Sequence, residues 1–420
     1  MEVSSLLSTT LDVPPSCIAF CPSHPEYFIV GTYFLYPSST VASSIDAQET
    51  PDNDGTSHRE RQQRSGSAVL YRYVKSVLTP VCTLSLPSAA VLDIAWSPFA
   101  NRDVPLLCVA TSTGTLEFYN LILDASPPTL ARTAVHGIAD ADALILDVVF
   151  HPSNAGIIGA TVSNGDVVLC RSHDKTWEQA SSVSVKTIAH HSLEPWTLTF
   201  SNDGQNLFSG GDDAMVQCIE IGDLLRDEDS WGSSQEDDET GMPAPLWSDR
   251  RAHGAGVTAL LPITVEHDRK LLLTGSYDDH IRLLSMTGKG RREVIAELNL
   301  GGGVWRLELI KSRQGADEKT RGSVSDRPTA VYTLLVSCMH AGARIVQLSQ
   351  RTGDGVESHW DFEVQAQFTE HKSMNYGTAV QPIATSLSAD RESVDPATKQ
   401  RTIVSTSFYD KLLCVWNVDV

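Results

Sequence analysis

One phrase recurs along the chain and limits its fold more than any other feature. An apolar strand ends in an aromatic and a Ser-Pro or His-Pro-like turn, a second apolar strand rich in small residues follows, and a tight polar turn leads into a third. The first part reads CIAFCPSHPEYFIVGTY, LDIAWSPF, LDVVFHPSN and LTFSNDG. The second part reads CVATSTGTLEFYNL, GATVSNGDVVLCR, FSGGDDAMVQCIEI, LTGSYDDHIRLLSM, SCMHAGARIVQL and STSFYDKLLCVWNV. With Phe28–Tyr33 and Ala68–Tyr73 as the inner pair of a first unit, the count comes to seven. Such a unit cannot bury both of its faces alone, whereas a ring of them can. The expected fold is all-β: one seven-bladed propeller over residues 1–420, with very little helix. The segment Val3–Leu11 is expected to close the ring as the outer strand of the last blade, which also protects the sheet edges.

The phrases resemble the WD repeat, whose unit runs to about 40–45 residues and ends in Trp-Asp. Spacing here is longer, and four loop-like insertions account for it, at 38–67, 222–248, 311–328 and 386–402. They are rich in Ser, Asp, Gln and charge, a composition expected of loops or disorder. The WD repeat pins its tight turn with an Asp bonded to a His from the preceding loop. The resemblance places His371, Thr406, Asp410 and Trp416 in that set in blade seven, which keeps it most fully. Blade five offers His253, Thr274 and Asp278, and blade four offers His191, Ser209 and Asp213. Blades two and three carry Thr113 and Asn164 where the Asp is expected.

A formal net charge of -20 argues against nucleic acid or anionic membrane as the main partner and favours a cationic one. The eight cysteines are scattered through apolar runs such as LLCVA and lack zinc-ligand spacing, so buried free thiols are expected and no metal. The N-terminal stretch carries no basic segment followed by an apolar one, and no run is long enough to span a bilayer. A monomeric cytoplasmic protein without a cofactor is the expectation.

Seven strings exceed what blade building requires: HSLEPWTLTF at 191–200, SGGDDA at 209–214, TGSYDDHIRL at 274–283, GGGVWRLEL at 301–309, SCMHAG at 337–342, EHKSMNYG at 370–377 and STSFYDKLLCVW at 405–416. In this order they closely resemble the WD-repeat diphthine methylesterases of the diphthamide pathway, from about residue 190 to the end. The resemblance implies hydrolysis of a methyl ester on the modified histidine of translation elongation factor 2. That substrate carries a fixed trimethylammonium, so its site is expected to offer aromatic faces and carboxylates. Trp196, Tyr277, Trp305, Tyr376 and Tyr409 are the candidate walls, and Glu194, Asp212 and Asp279 the candidate anions, each with a packing or turn-fixing alternative. Arg306 either binds a carboxylate or peptide oxygen of the substrate or pairs with a neighbouring acid.

Ester cleavage needs a nucleophile or activated water, a base and oxyanion donors. No G-x-S-x-G elbow is present. His340 is the first choice of base, because it occupies a turn whose structural Asp is missing. His371 is a second candidate base, and Ser373, Ser407 and Cys338 are the candidate nucleophiles, with a His-activated water as an equal alternative. The backbone N–H groups of Gly301, Gly302 and Gly303 are candidate oxyanion donors, unless these glycines serve close packing. A non-catalytic WD-repeat scaffold or substrate adaptor is the competing function, and a reader of methylated lysine a third.

Overall fold

The middle strands of the chain read as unbroken buried runs. All six residues of Leu106–Thr111 and all six of Ile157–Val162 are buried, because each lies between two neighbouring strands and between two neighbouring sheets. The outermost strands alternate instead: Val77–Leu86 and Thr129–Gly137 mix exposed with covered positions, as one face of each meets solvent. A computed structural model describes residues 1–37, 62–99, 104–179, 183–227, 231, 242–264, 270–286, 292–314, 328–351, 359–383 and 400–420.

These strands form seven antiparallel sheets in a ring. Their innermost strands are Pro15–Phe20, Val91–Trp96, Ile145–Phe150, Thr197–Phe200, Val257–Thr264, Arg306–Gln314 and Gly377–Val380. The ring closes as expected. Leu7–Thr10 pairs with Leu412–Asp419 as the fourth strand of blade seven, with Leu7 opposite Val415, while Glu2–Val3 runs parallel to the outer strand of blade six. In blade one, Tyr27–Thr32 and Arg64–Val74 are the second and third strands, since Pro15–Phe20 lies inside them; the inner pair expected from sequence is thus displaced outward by one strand. Helix is confined, among the described residues, to Gly222–Arg226 and single turns.

The insertions overlap the sheet at their edges. Arg64–Ser67 begin a strand of blade one, Lys311–Gln314 end one of blade six, Gln400–Thr402 begin one of blade seven, and Trp247–Ser248 open the outer strand of blade four. Residues 38–61, 228–230, 232–241, 315–327 and 386–399 lie outside the described residues.

The His–Asp bond of the turn-pinning set is made in blade four and not in blade seven. His191 is fully buried, with Nδ1 3.0 Å from Asp213 Oδ1 and Nε2 2.9 Å from Ser209 Oγ. In blade seven His371 Nε2 lies 2.8 Å from Ser405 Oγ, which also accepts the Trp416 indole N–H at 3.0 Å. The hydroxyl position therefore belongs to Ser405 rather than Thr406, whose own oxygen is buried without a hydrogen-bond partner. Asp410 does not bond His371 either. Its carboxylate accepts the hydroxyls of Ser373, at 2.5 Å, and Ser407, and the Lys372 amide at 3.0 Å.

Candidate active site

Antiparallel four-stranded blades place the turn between second and third strands on the same side of the disc as the crossing into the next blade. The aromatic and acidic candidates all sit in these two kinds of segment, so they share one face around the channel mouth. Trp196, Trp305 and Tyr376 end the crossings into blades four, six and seven, and Tyr277 stands in the tight turn of blade five.

Trp305 is the centre of the group. Its ring centroid lies 5.5 Å from Trp196, 6.0 Å from Tyr277 and 4.8 Å from Tyr376, all at tilted angles. The wall continues through Phe408, 5.7 Å from Tyr376, to Tyr33 of blade one at 6.2 Å. Sequence reasoning missed Phe408 and Tyr33. The signal for Phe408 was its place beside Tyr409, which stands at the rim, 70% exposed and edge-on to Phe408. The indole nitrogens of Trp196 and Trp305 are both buried without a hydrogen-bond partner.

Asp212 backs this wall. Its carboxylate fills the space where a side chain at residue 256 would project, since a Cβ on Gly256 would fall 2.5 Å from Asp212 Oδ1 and 3.0 Å from Tyr277. Burial pushes the Asp212 carboxyl up, and burial followed by the nearby Asp212 charge pushes the Tyr277 phenol up, so Tyr277 stays neutral. Glu194 lies on the same crossing as Trp196, and its carbonyl accepts the Asp212 amide at 2.9 Å. Asp279 sits at a left-handed backbone position, φ 68°, and its carbonyl accepts the Leu300 amide.

Arg306 is paired with two acids. It crosses the channel from blade six to blades two and three, donating from Nη2 to Asp93 Oδ1 at 2.7 Å and pairing through Nη1 with Asp147 Oδ1 at 3.5 Å. Of the two roles open to it from sequence, the structure supports pairing. The acids also stitch blades together: Asp93 Oδ2 accepts the Val148 amide at 3.2 Å, and Asp147 Oδ2 accepts the Leu198 amide at 3.0 Å. Glu308 repeats the stitch on Val380 at 3.0 Å, and burial pushes its carboxyl up to about 7.

The candidate nucleophiles are tied down. Cys338 is 0% exposed and burial pushes its thiol up to about 12, which suppresses the thiolate needed for attack. Ser407 is fully buried and donates to Asp410. Ser373 donates to the same carboxylate and accepts the Tyr409 amide at 2.9 Å, so its oxygen is committed to the turn. His371 is 5% exposed, and burial lowers its imidazole to about 4. These placements give each of the four side chains a structural partner or a buried setting. His340 differs: it is exposed at the apex of the turn 338–342.

That turn closes on the glycine run. A Cβ on Gly302 would meet the Cys338 carbonyl at 2.3 Å, and one on Gly303 would meet Met339 Sδ at 2.8 Å. The Gly301 amide is taken by Asn299 Oδ1 at 2.9 Å, which removes it as an oxyanion donor. The glycines thus let blades five and six approach closely, which sets the His340 turn beside Tyr277.

Residues 182–219 match the family described as WD domain, G-beta repeat. A protein of Schizosaccharomyces pombe named diphthine methyltransferase is 26% identical over 410 residues, covering 96% of this chain and 95% of its own length. The Saccharomyces cerevisiae protein of that name is 26% identical, covering 69% of this chain and 77% of its own. The Homo sapiens protein of that name is 22% identical, covering 90% and 74%. Among solved structures, a chain of the "Crystal Structure of Mitotic Checkpoint Complex" superposes with a TM-score of 0.58 at 13% identity, covering 100% of this chain and 93% of its own length, a likeness of fold.

Proposed function

We propose, from the premise that this chain is a WD-repeat propeller homologous over nearly its whole length to the proteins named diphthine methyltransferase, that it hydrolyses the methyl ester of methylated diphthine on elongation factor 2. The observation that carries the reading is the Trp305 cluster: four aromatic side chains from blades four to seven, with Asp212 behind them and the guanidinium next in sequence, Arg306, engaged with Asp93 and Asp147. A quaternary ammonium cannot donate a hydrogen bond, so aromatic faces and a partly desolvated carboxylate are what recognise it.

With the trimethylammonium held there, the ester stands near the turn of blade six. A water attacks the ester carbonyl carbon and passes its proton to His340. The C–O bond to the methoxy group then breaks as His340 returns the proton to that oxygen, giving methanol and a carboxylic acid, which ionises by releasing the second proton of the water to solvent. His340 acts first as base and then as acid, and no atom changes oxidation level.

The cage predicts a specific kinetic signature. Trp305→Ala raises KM for the modified protein by roughly 30-fold, the loss expected from about 2 kcal/mol of desolvated cation–π attraction, with kcat changed far less. Trp305→Phe keeps most of the affinity, and a substrate whose quaternary nitrogen is replaced by carbon loses its sensitivity to Trp305→Ala. Steady-state kinetics on these pairs checks it; an equal penalty for charged and neutral substrates would remove the cation from the account.

A further inference from the structure

Blade one carries a ribbon that the reaction does not use. Beyond its second strand, Phe34–Leu35 pairs with Arg64 and Ser65, and the Tyr36 amide donates to the Gln63 carbonyl at 3.0 Å. The ribbon therefore projects on the face that holds the aromatic cage. Phe34, Leu35 and Tyr36 are 38%, 39% and 39% exposed, and the Phe34 and Tyr36 rings meet edge-on at 5.0 Å. Their backbone is held in sheet register, so this surface is preformed. Its root is Tyr33, whose ring borders Phe408 and whose hydroxyl accepts the Arg64 Nε–H at 2.8 Å.

We propose that this ribbon is the docking surface for the folded protein that presents the modified histidine, and that it contacts a basic, partly apolar face of that protein. The proposal rests on the esterase reading for the identity of the partner. Two observations select the occupant. First, the apolar patch is continuous with the cage through Tyr33, Phe408 and Tyr376, so a body seated on the ribbon delivers a side chain along that wall. Second, the same face exposes Asp12, Asp140 and Asp142 on the crossings between blades, in a chain of net charge -20, which favours a cationic partner over a second copy of itself. Exposed aromatics with a polar surround are the usual composition of such contacts.

The test separates docking from chemistry. The affinity of intact elongation factor 2 is measured against immobilised wild-type protein, Phe34→Ser/Leu35→Ser, Phe34→Lys and Phe34→Asp, alongside steady-state kinetics on the whole factor and on a short peptide bearing the same methyl ester. The expected result is a Kd and a KM for the whole factor raised about tenfold in the double variant, as loss of an aromatic contact centre costs over 1 kcal/mol, with kcat and peptide hydrolysis unchanged. Phe34→Lys raises both further than Phe34→Asp does. Unchanged Kd in all variants, or equal losses on protein and peptide, overturns the proposal. So does a wild-type dimer in sedimentation that Phe34→Ser/Leu35→Ser dissolves while Kd for the factor stays the same. If the wild type binds the factor but hydrolyses neither substrate, the esterase reading fails while the affinity series still judges the ribbon.

Discussion

Replacing His340 by alanine lowers kcat by a hundredfold or more, the scale of a lost general base, and leaves the melting temperature within a few degrees. The fold has little stake in this side chain, which is exposed at the apex of a turn fixed by backbone bonds, among them Cys338 N–H to the Gly342 carbonyl at 2.7 Å. The other candidates each have structural work. Ser373→Ala removes one of the hydroxyls held by Asp410, and His371→Ala takes the imidazole away from the Ser405 hydroxyl that also accepts the Trp416 indole N–H, so both variants lose melting temperature before they lose chemistry. Added imidazole restores part of the turnover of His340→Ala and none to the other two. A folded His340→Ala with wild-type kcat removes the residue from the mechanism.

Arg306→Met destabilises the protein by about 3–5 kcal/mol, because it leaves buried carboxyls without their counter-charge. The Asp93 and Asp147 side chains are 8% and 2% exposed, and Arg306 is the guanidinium they share. Burial pushes the Asp93 carboxyl up to about 8, Arg306 pulls it down, and Asp147 beside it pushes it further up. Without Arg306 the Asp93 carboxyl rises further. A carboxyl whose folded pKa is raised costs stability increasingly as the pH climbs from its unfolded pKa, near 4, to its folded pKa, keeps the full cost above that, and costs nothing once both states are protonated. The Asp93 part of the Arg306→Met penalty therefore appears as the pH rises above about 8 and is absent below it, where Asp93 is protonated in both folded proteins. Adding Asp93→Asn to Arg306→Met recovers part of the loss. Denaturant titrations of the three variants at several pH values check this; a penalty independent of pH would mean that Arg306 acts through packing alone.

The propeller and its closure were legible because strand patterning and turn chemistry repeat seven times, and the N-terminal Leu7–Thr10 had no other sheet to join. The pinning sets were legible in kind but not in detail. Thr406 was displaced by Ser405 because side chains alternate along Gln400–Thr406, and only the odd position meets His371 and Trp416. Asp410 lost His371 to a competition that spacing cannot reveal, since two hydroxyls three-dimensionally near it, those of Ser373 and Ser407, offer shorter bonds.

Arg306 illustrates the larger gap. In the linear sequence it follows Trp305 and reads as part of the same site, but successive residues on a strand point to opposite sides. Its partners stand 213 and 159 positions away, across the channel. A signal was present in the repeated Leu92-Asp93-Ile94 and Leu146-Asp147-Val148, where an acid interrupts an apolar inner strand at the same place in adjacent blades. The cage was better marked, as Trp196, Trp305 and Tyr376 each stand where a blade joins its neighbour and Tyr277 in a tight turn within a blade, and one face of the ring gathers both kinds of position.

The name shared by the relatives speaks of methyl transfer, whereas the function proposed above is removal of a methyl ester. Intact-mass measurement of elongation factor 2 carrying methylated diphthine, before and after incubation with the purified protein, tests this most directly. The account predicts a fall of one CH₂ per molecule with release of one methanol, abolished in His340→Ala. An unchanged mass at saturating protein, or a gain of one CH₂ in the presence of a methyl donor, would contradict it.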